Sequence, residues 1–243
     1  MRIPKNNWLY TTPIAHRGLW GEGIAENSLT AYKNAVEKGY AIEIDLYLST
    51  DGVLYSFHDK TLERMTGEEG FIYEKSSKEL DELTLVGTNE KIPTFDQVLE
   101  VCEGKAPLLI EIKPQPNEKV VDMIVERLRS YKGEFALQSF NPLYIKRVKK
   151  LAPEFIRGIL ANTSKADLKN EKFFKRLVVR KMLFNRVIKP DFISHSHWGL
   201  PLPKRRTKNK IVLAWTITDQ QVCDRVKPYV DNIIFEHFIP DFK

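Results

Sequence analysis

In the segment 41–48, AIEIDLYL, apolar and polar positions alternate: Ile42, Ile44, Leu46 and Leu48 share one face, and Glu43, Asp45 and Tyr47 share the other. A period of two is that of a strand, whose successive side chains point to opposite sides. Short apolar runs of similar kind recur in PIAHRG, PLLIEIK, FALQSF, IRGIL, DFISHSH, KIVLAWTIT and NIIFE, eight in all with AIEIDLYL. Between them lie stretches of helical spacing: SLTAYKNAVEKG stopped by Gly39, TFDQVLEVCEG by Gly104, NEKVVDMIVERLRSYKG by Gly133 and NPLYIKRVKKLAP by Pro153. Strand alternating with helix predicts a parallel sheet. Eight strands with no Gly/Ser-rich or Pro-rich linker predict a TIM (β/α)8 barrel as a single domain over 1–243. Residues 59–93 fit the alternation worst and read as a small insertion after the second strand.

The parity of these strands places chemistry. In a barrel the apolar face packs on helices, so Glu43 and Asp45 point inward. PLLIEIK repeats the arrangement, with Leu108, Ile110 and Ile112 on one face and Glu111 and Lys113 on the other. Three carboxylates therefore converge, and each uncompensated buried charge costs several kcal/mol. Either bases such as Lys113 and Arg17 pair them or a cation does, and an all-oxygen donor set favours Mg²⁺ or Ca²⁺ over zinc. Asp51-Gly52 reads as a hairpin turn. Pairing Leu48 with Val53 puts Tyr55 opposite Leu46 and His58 opposite Glu43, which brings one histidine to the acids. A second, His16, ends the first strand beside Arg17, followed by Gly18, Gly21 and Gly23.

Composition narrows the partners. Apolar residues make up 42% and charged residues 29%, as in ordinary soluble domains, and the net charge of +6 favours anions without selecting one. The first residues contain no apolar run of signal-peptide length, and no segment approaches the roughly 20 apolar residues of a membrane span, so the expected location is cytoplasmic. Cys102 and Cys223 lack CxxC spacing and are expected to be reduced packing residues. Segment 165–189 interleaves basic and aromatic residues, the pattern of a covering helix or of a weak membrane-surface contact. KRRTKNK at 204–210 raises nucleic-acid binding, but inward carboxylates and the lack of a recognition motif argue against it.

Taken together, the motifs resemble the glycerophosphodiester phosphodiesterase family. The likeness runs in order through His16-Arg17-Gly18, Glu26-Asn27, Glu43-x-Asp45, Thr50-Asp51-Gly52, His58-Asp59 with Leu62, Arg64 and Thr66, Glu111-x-Lys113, Gln138-Ser139-Phe140 and Trp215-Thr216-Ile217. It implies a TIM barrel that hydrolyses glycerophosphodiesters to an alcohol and glycerol phosphate. By that resemblance His16 and His58 are the acid-base pair, and Glu43, Asp45 and Glu111 bind the metal. Arg17 and Lys113 face the phosphate, and Gln138, Phe140 and Trp215 line the pocket. The chain departs from the family pattern at Ser28, usually Thr, at Thr218, often Asn, and in its ending IIFEHF, where Glu236 stands near the place of an Asp.

The residue types suit the reaction. A phosphodiester anion repels nucleophiles and its alkoxide leaves poorly, so charge neutralisation and proton transfer are needed together. Histidines with ordinary pKa values near 6.5 can supply the proton transfers. The alternative within enzymes is a lysophospholipase D or related phosphodiesterase acting on lipid substrates with the same site. A non-catalytic phosphate-binding barrel would be expected to lack a histidine or a metal acid, and neither is missing. His195 and His197, ending DFISHSH, are expected to share a strand face, where they line the pocket, pack or serve a surface role.

Overall fold

The computed structural model describes residues 3–162 and 188–242. All but the last two residues of segment 165–189 therefore lie outside the described residues. Contacts divide the chain into two compact units, Ala15–Ala136 on one hand and Met1–Ile14 with Leu137–Lys243 on the other.

In the unit Ala15–Ala136, β1 (Ile14–His16, which straddles its start) is followed by β2 (Ala41–Leu48), β3 (Leu54–Ser56) and β4 (Leu108–Ile112). Every residue of β2 and β4 is buried, as expected of strands covered on both faces. They run parallel with Ile44 opposite Ile110 and Asp45 opposite Glu111. Helix Leu29–Glu37 starts at Ser28, whose Oγ accepts from Ala31 N. Helix Phe95–Cys102 starts in a capping box of Thr94 and Gln97 and buries Phe95, Val98, Leu99 and Cys102.

The hairpin register differs from the expected one by a residue. Leu48 pairs with Leu54, Tyr47 with Tyr55 and Leu46 with Ser56. The turn is not a two-residue Asp-Gly corner, because side chains organise a wider loop. Ser49 Oγ accepts from Val53 N, and Asp51 accepts from Ser49 Oγ, Ser77 N and Ser77 Oγ. His58 is consequently not opposite Glu43; it follows Phe57, whose N–H donates to Asp45 O at 3.0 Å.

Residues 59–93 hold short helices Glu63–Thr66 and Ser77–Leu80 around a 3-10 turn, Ile72–Glu74. They carry an apolar cluster of their own, in which Leu62, Ile72, Leu80, Leu85 and Ile92 pack with Tyr47, Tyr55 and Phe57.

The other unit contains β6 (Arg157–Ala161), β7 (Phe192–Ser196), β8 (Ile211–Ile217) and β9 (Asn232–Phe235), paired in parallel. β5 (Phe135–Ser139) spans the division. His195 is buried on β7 with Nδ1 2.8 Å from Ser196 O, whereas His197 has left the strand for a 3-10 turn against Trp198. The expected pairing of these two histidines on one strand face is therefore corrected.

Strand order is β1-β9-β8-β7-β6-β5-β4-β2-β3, with β1 also paired to β2. This is the eight-stranded parallel barrel, with β3 as an added antiparallel strand. Cys102 and Cys223 are free and buried, and burial pushes the Cys102 thiol up to about 12. Among the described residues no helix is long and apolar enough to cross a membrane.

Candidate active site

The end of β1 is built to turn sharply. Arg17 adopts φ 60° and Gly18 φ 83°. A Cβ on Gly18 would lie 2.7 Å from the carbonyl carbon of Ala31, so only glycine fits where the loop crosses the helix. Backbone bonds hold the turn, from Leu19 N to Ala31 O at 2.9 Å and from Asn27 N to Arg17 O at 3.0 Å. A non-glycine residue in the left-handed region costs on the order of 1–3 kcal/mol and persists when its surroundings fix it. Here the conformation sends the Arg17 backbone N–H to Glu43 Oε2, at 3.3 Å, and its Nη1 to Glu26 Oε1, at 2.8 Å.

The inward faces of β2 and β4 bring Glu43, Asp45 and Glu111 together, with one oxygen of each within 4.8 Å of the others and all three buried. Lys113 Nζ lies 3.1 Å from Asp45 Oδ1 and 3.0 Å from Glu111 Oε1. Arg17 Nε is 3.9 Å from Asp45 Oδ2, and His16 Nε2 is 4.0 Å from Glu43 Oε2. Burial pushes the Glu43 carboxyl well up, and the charges of Asp45 and Glu111 add to it. Glu111 is raised too, by burial opposed by Lys113. Burial would also raise Asp45, but Lys113, His58 and Arg17 outweigh it and hold that carboxyl far below the usual range.

A group of acids that resists full ionisation without more positive charge is suited to a cation, whose binding would displace the proton. Three carboxylates with all-oxygen donors fit a hard divalent ion.

Asp45 has a further anchor outside the acids. Asn27 Nδ2 donates to its Oδ2 at 3.1 Å, Tyr32 Oη donates to Asn27 Oδ1 at 2.7 Å, and Ser56 Oγ is 2.6 Å from Tyr32 Oη. The sequence alone assigns no role to Asn27, Tyr32 or Ser56. The only signal for them was Asn27's place beside Glu26 in a motif.

His58 stands just past the hairpin, its Nδ1 2.7 Å from Asp59 Oδ1. Burial lowers its pKa, and the neighbouring Asp45 opposes that shift. The unit Ala15–Ala136 thus brings together His16, Arg17, Glu43, Asp45, His58, Glu111 and Lys113. Gln138, Phe140 and Trp215 belong to the other unit. There Gln138 is buried on β5, Phe140 follows that strand, and the Phe140 and Trp215 rings meet edge to face at 5.7 Å.

The family model described as the glycerophosphoryl diester phosphodiesterase family matches residues 16–239. A glycerophosphodiester phosphodiesterase of Caldanaerobacter subterraneus subsp. tengcongensis is 36% identical over 164 residues, which span 62% of this chain and 66% of that relative. A phosphodiesterase of Oleispira antarctica, solved in complex with the product sn-glycerol-3-phosphate, superposes with a TM-score of 0.78 at 24% identity, covering 93% of each chain. A glycerophosphodiester phosphodiesterase structure from Agrobacterium tumefaciens gives 0.68 at 25% identity, covering 93% of this chain and 96% of that one. The chain belongs to the glycerophosphoryl diester phosphodiesterase family and is an enzyme of that family.

Proposed function

We propose that the chain is a single-domain, metal-dependent hydrolase that splits glycerophosphodiesters into an alcohol and glycerol phosphate, with His16 and His58 as the acid-base pair. The observation that carries this reading is the buried trio Glu43, Asp45 and Glu111, set beside Lys113, Arg17 and His16. The trio would hold Mg²⁺ or Ca²⁺, which when bound supplies positive charge to the phosphate. Arg17 and Lys113 contribute the same kind of neutralisation and orient the phosphoryl oxygens. One histidine takes the proton of the attacking oxygen, water or the adjacent glycerol hydroxyl, as its bond to phosphorus forms. The other gives a proton to the alcohol oxygen as its bond to phosphorus breaks. Gln138, Phe140 and Trp215 are assigned, on the family resemblance, to contacts with the substrate's organic part.

Turnover of glycerophosphocholine, glycerophosphoethanolamine, glycerophosphoglycerol and lysophospholipids, each with Mg²⁺ or Ca²⁺, tests the reading. Release of glycerol phosphate from at least one glycerophosphodiester is expected. Hydrolysis confined to lysophospholipids would select the lysophospholipase D alternative, and no hydrolysis of any member would overturn both.

A further inference from the structure

Five ionisable side chains beyond the carboxylate trio form an unbroken series. His58 Nδ1 meets Asp59 Oδ1 at 2.7 Å, and Asp59 Oδ2 meets Arg64 Nε at 2.5 Å. The Arg64 guanidinium then takes Glu26 in a fork, Nη2 to Oε1 at 2.6 Å and Nη1 to Oε2 at 3.1 Å. Glu26 Oε1 completes the series by accepting from Arg17 Nη1 at 2.8 Å. Its ends are a proposed acid-base group and a proposed phosphate ligand, and its three middle members have no part in the chemistry assigned above.

The geometry is more specific than surface pairing. Arg64 spends three nitrogens on two carboxylates, a planar arrangement that lysine cannot copy. The Glu26 side chain is only 5% exposed and holds two guanidiniums, so removing either leaves a buried acid undercompensated. Exposed ion pairs contribute little singly, but a connected network with a buried member behaves as a unit. Asp59, an acceptor when ionised, requires the His58 proton on Nδ1, which leaves Nε2 as the basic nitrogen.

We propose that Asp59, Arg64 and Glu26 are positioning residues that couple His58 to Arg17, fixing the imidazole's tautomer and the guanidinium's aim as one unit. This rests on the reading of His58 and Arg17 given above. The alternative is that Arg64 merely staples the insertion to the Glu26 loop.

The test uses the full chain with metal and four variants: Asp59→Asn, Glu26→Gln, their double, and Arg64→Lys. Melting temperatures check that each folds, and Arg64→Lys keeps the charge that stapling alone requires. Under the proposal Asp59→Asn lowers kcat about 10- to 100-fold with little change in KM, the usual range for groups that orient a functional histidine. Glu26→Gln should lower kcat as well as raise KM, and the double should lose much less than the product of the two losses. Arg64→Lys should lower kcat by a factor similar to Asp59→Asn. Imidazole ¹⁵N shifts of His58 supply a readout independent of turnover: one tautomer in the wild type, a mixture in Arg64→Lys. Multiplicative losses, wild-type kcat in Arg64→Lys, or an unchanged tautomer in that variant would overturn the coupling. Wild-type protein inactive on every glycerophosphodiester would instead count against the site reading, with the tautomer result still deciding the coupling.

Discussion

Asp45 and Glu111 stand opposite each other on neighbouring parallel strands, and the single ammonium of Lys113 reaches both, at 3.1 and 3.0 Å. Since Glu43 shares the same small volume, one lysine and a partly committed arginine leave the acids short of positive charge. Chelation should therefore stop hydrolysis, and Mg²⁺ or Ca²⁺ should restore it. Full turnover in a sample shown metal-free by elemental analysis would rule this out. Glu111→Ala should lose about 10²- to 10³-fold or more in turnover, as for other removed charge-stabilising groups. The melting temperature of the metal-free variant should match that of the metal-free wild type, because one like charge has left the cluster.

His16→Ala and His58→Ala should each lower kcat by about 10²- to 10⁴-fold. The double variant should lose little more than the worse single, since groups acting as a pair are not additive. Near-normal turnover of either single variant, with metal present, would refute the pairing. A cyclic phosphate intermediate seen by ³¹P NMR would select attack by the substrate's own hydroxyl.

Gly18→Ala should be damaging out of proportion to one methyl group. The new Cβ meets backbone of Ala31 at 2.7 Å, and φ is 83°. A loss of about 1–3 kcal/mol is expected from the crowding. Turnover should fall as well, because Arg17 is the preceding residue. A urea midpoint and kcat both matching wild type would show that the turn can relax without cost.

Acid stability should report on the hairpin. Hydrogen bonds from Ser77 and Ser49 hold the Asp51 carboxyl down at about 2. Its unfolded value is near 3.9, so the group contributes stability that is present above about pH 4 and lost as pH falls toward 2. Asp51→Asn should be less stable than wild type at pH 5, and the gap in urea midpoint should narrow as the pH drops. A gap that stays constant from pH 5 to 2 would mean the bonds do not depend on charge.

How much of this was legible in the sequence follows from what each feature depends on. The eight barrel strands were legible because each is a short apolar run with its own flanking breaker, and the convergence of Glu43, Asp45 and Glu111 followed from parity alone. The hairpin register was not, since it depends on Ser49 and Ser77 binding Asp51, and Ser77 is 26 residues away. The Asp59–Arg64–Glu26 series was visible only as motif letters. Its members are brought together by an irregular insertion whose path has no periodicity to read. Asn27 was similarly opaque, because its partners Tyr32 and Asp45 lie on different elements.

The anchor of Asp45 has a polarity, with consequences for how the protein ages. Asn27 gives its amide nitrogen to Asp45 and receives Tyr32 at its oxygen, so it needs one donor end and one acceptor end. Hydrolysis of the Asn27 side-chain amide to aspartate would exchange one nitrogen for one oxygen and change hardly any volume. It would nonetheless set a fourth carboxylate against three that already strain for compensation. Stored protein should accordingly lose activity in step with deamidation of Asn27, as read by peptide mass spectrometry. Asn27→Asp, made directly, should show the aged enzyme's turnover from the first day; normal turnover in that variant would break the link.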